Sequence, residues 1–107
     1  MIARVWRGFA PPESADAYES MLKPELLPGL STKPGFRGSY LFRRESDGEV
    51  EFITIILWDS LDDVRAIAGR DYEKAVIPDD RVPLLSRYDA RAAHYDVVST
   101  SDPAGGT

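Results

Sequence analysis

Cysteine is absent from all 107 residues of this chain. Disulfides, thiolate metal sites and a cysteine nucleophile are therefore excluded. Histidine occurs once, as His94, so zinc and haem sites that need two imidazoles are excluded too. No glycine-rich phosphate loop, paired catalytic carboxylates or nucleophile elbow can be found. We expect a protein that holds no metal and no other cofactor.

An excess of positive charge is also missing, since 13 basic and 18 acidic residues give a net charge of −5. Nucleic acids and anionic membranes both attract clustered basic residues, so the charge argues against either partner. The longest apolar run, residues 52–58, is far too short to cross a bilayer. The first residues are typical of a strand rather than a signal peptide, and we expect a cytoplasmic protein.

The order of predicted elements indicates one small domain. Strand-like segments cover residues 2–9, 36–45, 49–59 and 90–98, and amphipathic helices follow Pro12 and Ser60. This β-α-β-β-α-β order is typical of an α+β, ferredoxin-like domain with an antiparallel sheet and both helices on one face. We assign residues 1–98 to that domain and predict a disordered tail over residues 99–107, which are small and polar.

Local signals set the helix boundaries. Pro12 suits a first helical turn, and apolar residues then recur at three- and four-residue spacing as far as Leu26. Pro24 predicts a kink or a restart near Lys23. Ser60 and Asp63 form a capping box before the second helix, and Gly69 suits its end. Residues 70–88 should be irregular or short-helical.

The dipeptide Asp47-Gly48 predicts a two-residue type I′ hairpin turn. That turn would pair Tyr40 with Ile55, Phe42 with Ile53 and Arg37 with Trp58. Both faces of the sheet are then apolar, whereas helices can cover only one of them. The second face would be covered by a second copy of the chain or, alternatively, by the C-terminal segment. We predict a homodimer.

Few side chains suit chemistry. His94, in the last strand, is either a general base or proton shuttle or a half-buried histidine bonded to Asp96. Trp58 is either the wall of a small-molecule pocket or a core residue under the second helix. The other candidates for contact with a substrate are Trp6, Arg37, Thr54 and Tyr72.

The combined order of several short motifs resembles the antibiotic biosynthesis monooxygenase domain family over roughly residues 1–98. The motifs are Ile2-Ala3-Arg4-Val5-Trp6, Pro34-Gly35-Phe36, Trp58-Asp59-Ser60 and Ala92-Ala93-His94-Tyr95. The resemblance implies a dimeric α+β barrel, in which two ferredoxin-like sheets pack face to face, with a pocket between sheet and helices in each subunit. It also implies oxidation of aromatic polyketides or quinols by O₂ without metal or flavin.

Two departures from the family pattern bear on function. The haem-degrading branch has its haem-ligating histidine in the helix after the third-strand tryptophan, and residues 61–70 contain none. Quinol-oxidising members often have an asparagine four residues before that tryptophan, where this chain has Thr54.

The leading hypothesis is a cofactor-independent monooxygenase acting on a small phenolic, quinol-like or polyketide-like aromatic compound. His94 would accept or shuttle the proton, the two tryptophans would form walls, and Thr54, Arg37 and Tyr72 would orient the substrate. Two alternatives stay open: a non-catalytic dimeric binding or stress-response module, and a lactone or tautomer isomerase.

Overall fold

The computed structural model describes residues 1–101, so most of the predicted tail at 99–107 lies outside the described residues. Five strands and two α-helices are present in this part of the chain. They are β1 (Ile2–Ala10), α1 (Pro12–Leu26), β2 (Phe36–Ser46), β3 (Glu49–Trp58), α2 (Leu61–Ala68), β4 (Arg87–Tyr88) and β5 (Ala93–Asp96). A 3₁₀ turn at Val82–Leu84 precedes β4. The predicted α+β class and element order are confirmed.

The strands form one antiparallel sheet in the order β2-β3-β1-β4, with β5 also paired to β1. This is the order expected of a ferredoxin-like domain. In β1, Ile2, Arg4, Trp6 and Gly8 alternate with residues of the opposite face. Their partners on β3 are Trp58, Ile56, Thr54 and Phe52, so these eight residues share one face.

The hairpin turn is formed as predicted, with positive φ at both Asp47 (50°) and Gly48 (81°). Tyr40 pairs with Ile55 and Phe42 with Ile53, which confirms most of the predicted register. The predicted pairing of Arg37 with Trp58 is wrong. A bulge at Arg37 and Gly38 shifts the register, and Phe36 lies opposite Trp58 instead.

The prediction for helix α1 was a kink or a restart near Lys23, and the restart is wrong. The helix continues through Pro24 to Leu26, and the Leu27 amide donates to the Lys23 carbonyl at 3.1 Å. Proline in the last turn removes one N–H near a helix end, where the cost is small. Helix α2 begins as predicted, because the Ser60 hydroxyl accepts from the Asp63 amide and Gly69 ends the helix with φ 90°.

The last strand, predicted over residues 90–98, is shorter in the structure and covers only Ala93–Asp96, after a bulge that separates it from β4. Tyr88 pairs with Gly8 and Ala93 with Val5, so four residues of the last segment face only two of β1. The extra residues pair elsewhere: the Ala75 amide donates to the Ala90 carbonyl, and the Ala92 amide donates to the Glu73 carbonyl. The alternation of side chains along a strand cannot reveal such a bulge, because the bulged residues form their hydrogen bonds with residues 73–75, a loop distant in sequence.

The helices cover the face that carries Trp6, Thr54 and Trp58. At the hairpin end of this face, a tightly packed cluster joins β1, α1 and β3, and its members are Ala10, Ala15, Tyr18, Val50 and Phe52. The Tyr18 and Phe52 rings meet edge to face, with centroids 4.9 Å apart. Toward the other end the packing opens into a cavity. Neither helix in residues 1–101 has the length and hydropathy needed to cross a membrane.

Candidate functional site

A cavity of about 240 Å³ lies between the helix-covered face of the sheet and the helices. Its walls come from the sheet, from both helices and from the loops that follow them. The sheet contributes Arg4, Trp6, Thr54, Ile56 and Trp58, the helices contribute Tyr18, Leu22, Glu25, Leu26, Val64, Ile67 and Ala68, and loops contribute Leu30, Val76, Ile77, Pro78 and Arg81. An apolar hollow with a few polar groups is typical of a small-molecule site.

Three residues singled out in the sequence meet in this cavity: Trp6, Thr54 and Trp58. Trp6 and Thr54 are direct partners across β1 and β3, so their side chains stand together on one face. Trp58 is only 1% exposed and meets Phe36 edge to face, with ring centroids 5.9 Å apart. It is therefore at once a cavity wall and a core residue.

Trp6 is held in place from two sides. Its indole N–H donates to the Asp89 carbonyl at 2.7 Å, within the bulge between β4 and β5. A Cβ on Gly8 would lie 3.0 Å from the Trp6 ring, so glycine at this position lets the ring lie along the strand. Because both the bulge and the glycine fix the ring, Trp6 is an ordered wall of the cavity.

Arg37 does not line the cavity. The bulge that shifts β2 turns its side chain to solvent, where its Nε donates to the Asp59 carboxylate at 2.5 Å. The predicted substrate contact depended on a regular strand across from Trp58, and that geometry is absent.

His94 and Tyr72 lie just behind the cavity wall rather than on it. Their rings meet edge to face, with centroids 5.0 Å apart. His94 Nε2 is 3.0 Å from Nη1 of Arg4, its partner across β1 and β5, and no bond to Asp96 is formed. Since an arginine can only donate, Nε2 accepts and the proton of the neutral imidazole sits on Nδ1. Nδ1 is buried without a partner among residues 1–101.

Burial lowers the pKa of His94, and the adjacent Arg4 charge lowers it further, while Glu73 acts in the opposite direction. The neutral form that accepts from Arg4 is thus the favoured one at neutral pH. His94 itself does not line the cavity, but it contacts Arg4, which does.

Arg4 itself was missed as a site residue by the sequence reasoning. Its guanidinium donates to the backbone carbonyls of Tyr72 and, at 3.2 Å, Lys74, and it lines the cavity. The signal that could have found it is its position two residues before Trp6, on the same face of β1. Sequence cannot show that the loop after α2 supplies the carbonyls.

Arg81 and Tyr18 are further polar residues of the wall that sequence reasoning did not select. Arg81 is buried and pairs with Glu25 and Asp80, and it donates to the Met21 carbonyl at 3.4 Å. Burial raises the pKa of Tyr18 to about 12, with Arg81 acting in the opposite direction. The Tyr18 phenol is therefore neutral, and the charge of Arg81 is balanced by carboxylates.

The fold is similar to that of several solved structures. Two are structures of MhuD, a haem-degrader from Mycobacterium tuberculosis: one with two haems bound in its active site, and a mutant with two manganese protoporphyrin IX bound per active site. Each is 16% identical and covers 95% of this chain, with TM-scores of 0.66 and 0.68 over 100% and 99% of the MhuD chain.

A third is Rv0793 from the same organism, 17% identical, with a TM-score of 0.55 over 95% of this chain and 97% of its own. No family model and no curated protein matches the sequence. The likeness to these structures supports the predicted ferredoxin-like α+β fold, and at this identity it shows the fold alone.

The haem that MhuD binds does not fit the residues present here. No histidine lies on the cavity wall, α2 contains none, and residues 1–101 hold no cluster of three or more metal-ligating side chains. Tyr18 is the one phenol on the wall, and its raised pKa disfavours the phenolate that would bind iron. The volume of about 240 Å³ is also below the usual range for larger ligands.

Proposed function

We propose that this chain is a cofactor-independent monooxygenase that oxidises a small phenolic, quinol-like or polyketide-like aromatic compound in the cavity between sheet and helices. The observation that carries the proposal is the meeting of Trp6, Thr54 and Trp58 on one apolar cavity. Two indole walls suit a flat aromatic ring, and a hydroxyl beside them suits one polar substituent.

The proposed reaction needs no group beyond substrate and O₂. The substrate loses a proton to solvent and becomes an electron-rich anion, which transfers electrons to O₂ and forms a C–O bond. The peroxide anion then takes up a proton from solvent and becomes a hydroperoxide. Loss of water from the resulting hydroperoxide breaks the O–O bond and leaves a carbonyl. A CH₂ carbon is oxidised to C=O, and one oxygen atom of O₂ ends in the product and the other in water.

The contacts suggest distinct tasks for the candidate residues. Trp6 and Trp58 would exclude water and hold the ring, and Thr54 would donate to its oxygen. His94 would act as a positioning residue for Arg4 instead of taking the proton itself, because its Nε2 already accepts from that arginine. Tyr72 would support the same arginine through its carbonyl. We propose no substrate contact for Arg37.

A non-catalytic binding module is the second candidate, and one observation favours it. The single carboxylate on the described cavity wall, Glu25, is paired with Arg81, so no free protein base faces the ligand. A protein that only bound an aromatic compound would need none.

We further propose that the protein acts as a homodimer through the open face of its sheet. Tyr40, Phe42 and Tyr95 stand on that face and are 54%, 48% and 58% exposed. They adjoin Val5, Ile53, Ile55 and Leu57 of the same face. A continuous apolar surface of this kind is uncommon on monomers.

The protein is first treated with a chelator to remove metal ions. O₂ uptake is then measured with anthrone-type and quinol-type substrates. We expect one O₂ consumed for each carbonyl formed. Ala68→Phe, which fills the cavity from α2, should abolish uptake, whereas Ala66→Phe on the exposed side of the same helix should leave it unchanged. Turnover without O₂ would indicate an isomerase, and saturable binding without turnover would indicate the binding module.

A further inference from the structure

Arg4 is the cation of the cavity wall whose charge is not balanced by a carboxylate. Arg81 has two carboxylate partners, whereas the described residues give Arg4 none. The charge of Glu73 acts on Arg4 without an ion pair between them, and the Glu73 carboxylate pairs with Arg91 at 3.5 Å. A partly buried charge without a counterion is costly unless a ligand supplies one.

The hydrogen bonds of Arg4 leave part of its guanidinium available. Nη1 contacts the Tyr72 carbonyl and His94 Nε2, and Nη2 donates once, to the Lys74 carbonyl. A guanidinium has five N–H groups, so Nε–H and one Nη2–H have no acceptor among residues 1–101. These contacts fix the plane of the guanidinium, and a fixed pair of donors suits an oxygen anion.

We infer that Arg4 is the oxyanion-binding residue of the cavity, pairing with the deprotonated oxygen of a phenol or enol whose ring lies beside Trp6 and Trp58. The inference rests on the cavity being the ligand site of the proposed function. It names the ligand class as an aromatic compound that binds as its phenolate or enolate. It also explains how the anion forms without a protein base, because a ligand stabilised as an anion loses its proton to solvent near neutral pH.

The test uses 4-nitrophenol, whose phenolate absorbs visible light and whose phenol does not. We expect bound 4-nitrophenol to titrate with a pKa lower than that of the free compound by about 1–3, as for an acid beside an arginine. That change corresponds to an anion preference of about 10- to 1,000-fold. The neutral ether 4-nitroanisole should bind more weakly by a similar factor, and this comparison needs only the wild-type protein.

Arg4→Met should remove the pKa change, and Arg4→Lys should keep part of it. Arg7→Met is the matched control, because Arg7 lies on the opposite face of the same strand and the substitution removes the same charge. Thermal unfolding of each variant verifies the fold, and the wild-type comparison stands even where Arg4→Met does not fold.

The inference is overturned by an unchanged or raised pKa for bound 4-nitrophenol, by equal loss in Arg4→Met and Arg7→Met, or by absent binding in wild type. Tighter competition by benzoate than by the phenolate would also overturn it, since Arg4 would then serve a carboxylate. Oxygen uptake distinguishes this inference from the proposed function. Phenolate binding without O₂ uptake would disprove the monooxygenase and leave the Arg4 site standing. O₂ uptake without a preference for the anion would disprove the Arg4 site and leave the monooxygenase standing.

Discussion

Both faces of the sheet are apolar, but the helices cover one and no helix within residues 1–101 covers the other. On the covered face, Trp58 is 1% exposed, and Arg4 is held by the backbone carbonyls of Tyr72 and Lys74. On the open face, Tyr40 is half-exposed and stacks loosely on Phe42, with ring centroids 5.9 Å apart. The contrast supports the two proposals made above, a ligand site on the covered face and a dimer contact on the open face.

The open face is not uniformly apolar. Glu51 is buried on it, between Arg44 and Arg7, and the Arg87 guanidinium lies 3.7 Å from the centroid of the Phe9 ring. Charged groups and the Phe9 ring thus lie at the hairpin end of this face, while Tyr40 and Tyr95 lie further from the turn. Protein interfaces commonly combine apolar residues with charged groups at the edge.

The largest expected effect comes from removing an aromatic side chain from the covered face. Trp58→Ala should lower the free energy of unfolding by about 3–5 kcal/mol, because a buried ring is replaced by a void. Tyr40→Ala on the open face should lower the free energy of unfolding by less than half as much, when measured in dilute, monomeric protein. Urea unfolding of both variants checks the prediction, and equal losses would show that the open face is packed within one chain.

A charge on the open face should affect assembly more than the fold. Ile55→Lys should weaken a dimer by on the order of 100-fold, since it replaces about 2–3 kcal/mol of apolar burial by a charge that must be desolvated. Val98→Lys makes the same kind of change at a site that is 94% exposed, and it should leave the dimer intact. Light scattering measures both, and a wild-type protein that stays monomeric at micromolar concentration would disprove the homodimer.

Loss of one hydroxyl from the covered face should give a moderate effect confined to ligand binding. Thr54→Val keeps the shape of the side chain and should weaken binding of 4-nitrophenol by about 3- to 10-fold, the usual worth of one hydrogen bond. Thr54→Ser retains the hydroxyl and should bind nearly as well as wild type. Absorbance titration gives the dissociation constants. Unchanged binding in Thr54→Val would remove Thr54 from the site.

The sequence predicted those parts of the molecule that depend on local pattern. The Asp47-Gly48 turn determined the register of β2 and β3, and the alternation of residues then placed Thr54 and Trp58 on one face; the pairing of Trp6 with Thr54 came only from the structure. The presence of a cavity there agrees with a pocket between sheet and helices.

Features that depend on distant segments were not predictable in the same way. The bulge at Arg37 removed a predicted contact, and the bulge after Tyr88 divided the last strand because residues 73–75 compete for its hydrogen bonds. Arg4 was overlooked because its acceptors come from the loop after α2, nearly seventy residues further along the chain. A site residue defined by its partners needs the tertiary structure to be recognised.

The smallest expected effect concerns the contact between His94 and Arg4. Through this contact, the stability of the folded protein should depend on pH. Burial and the Arg4 charge lower the pKa of His94 in the folded protein, and Glu73 opposes them. A group with a lowered folded-state pKa binds fewer protons when folded than when unfolded. Its stabilising contribution is therefore present above the unfolded value of about 6.5 and is lost as pH falls through the folded pKa.

Below that pH, the His94 cation would lie against the Arg4 cation, and the folded protein should be less stable. His94→Gln keeps an acceptor for Arg4 but does not titrate, so it should be less sensitive to acid than wild type. Urea unfolding between pH about 7.5 and about 5 measures the difference in slope that linkage requires. Parallel pH profiles for the two proteins would show that His94 does not support Arg4 through its neutral form.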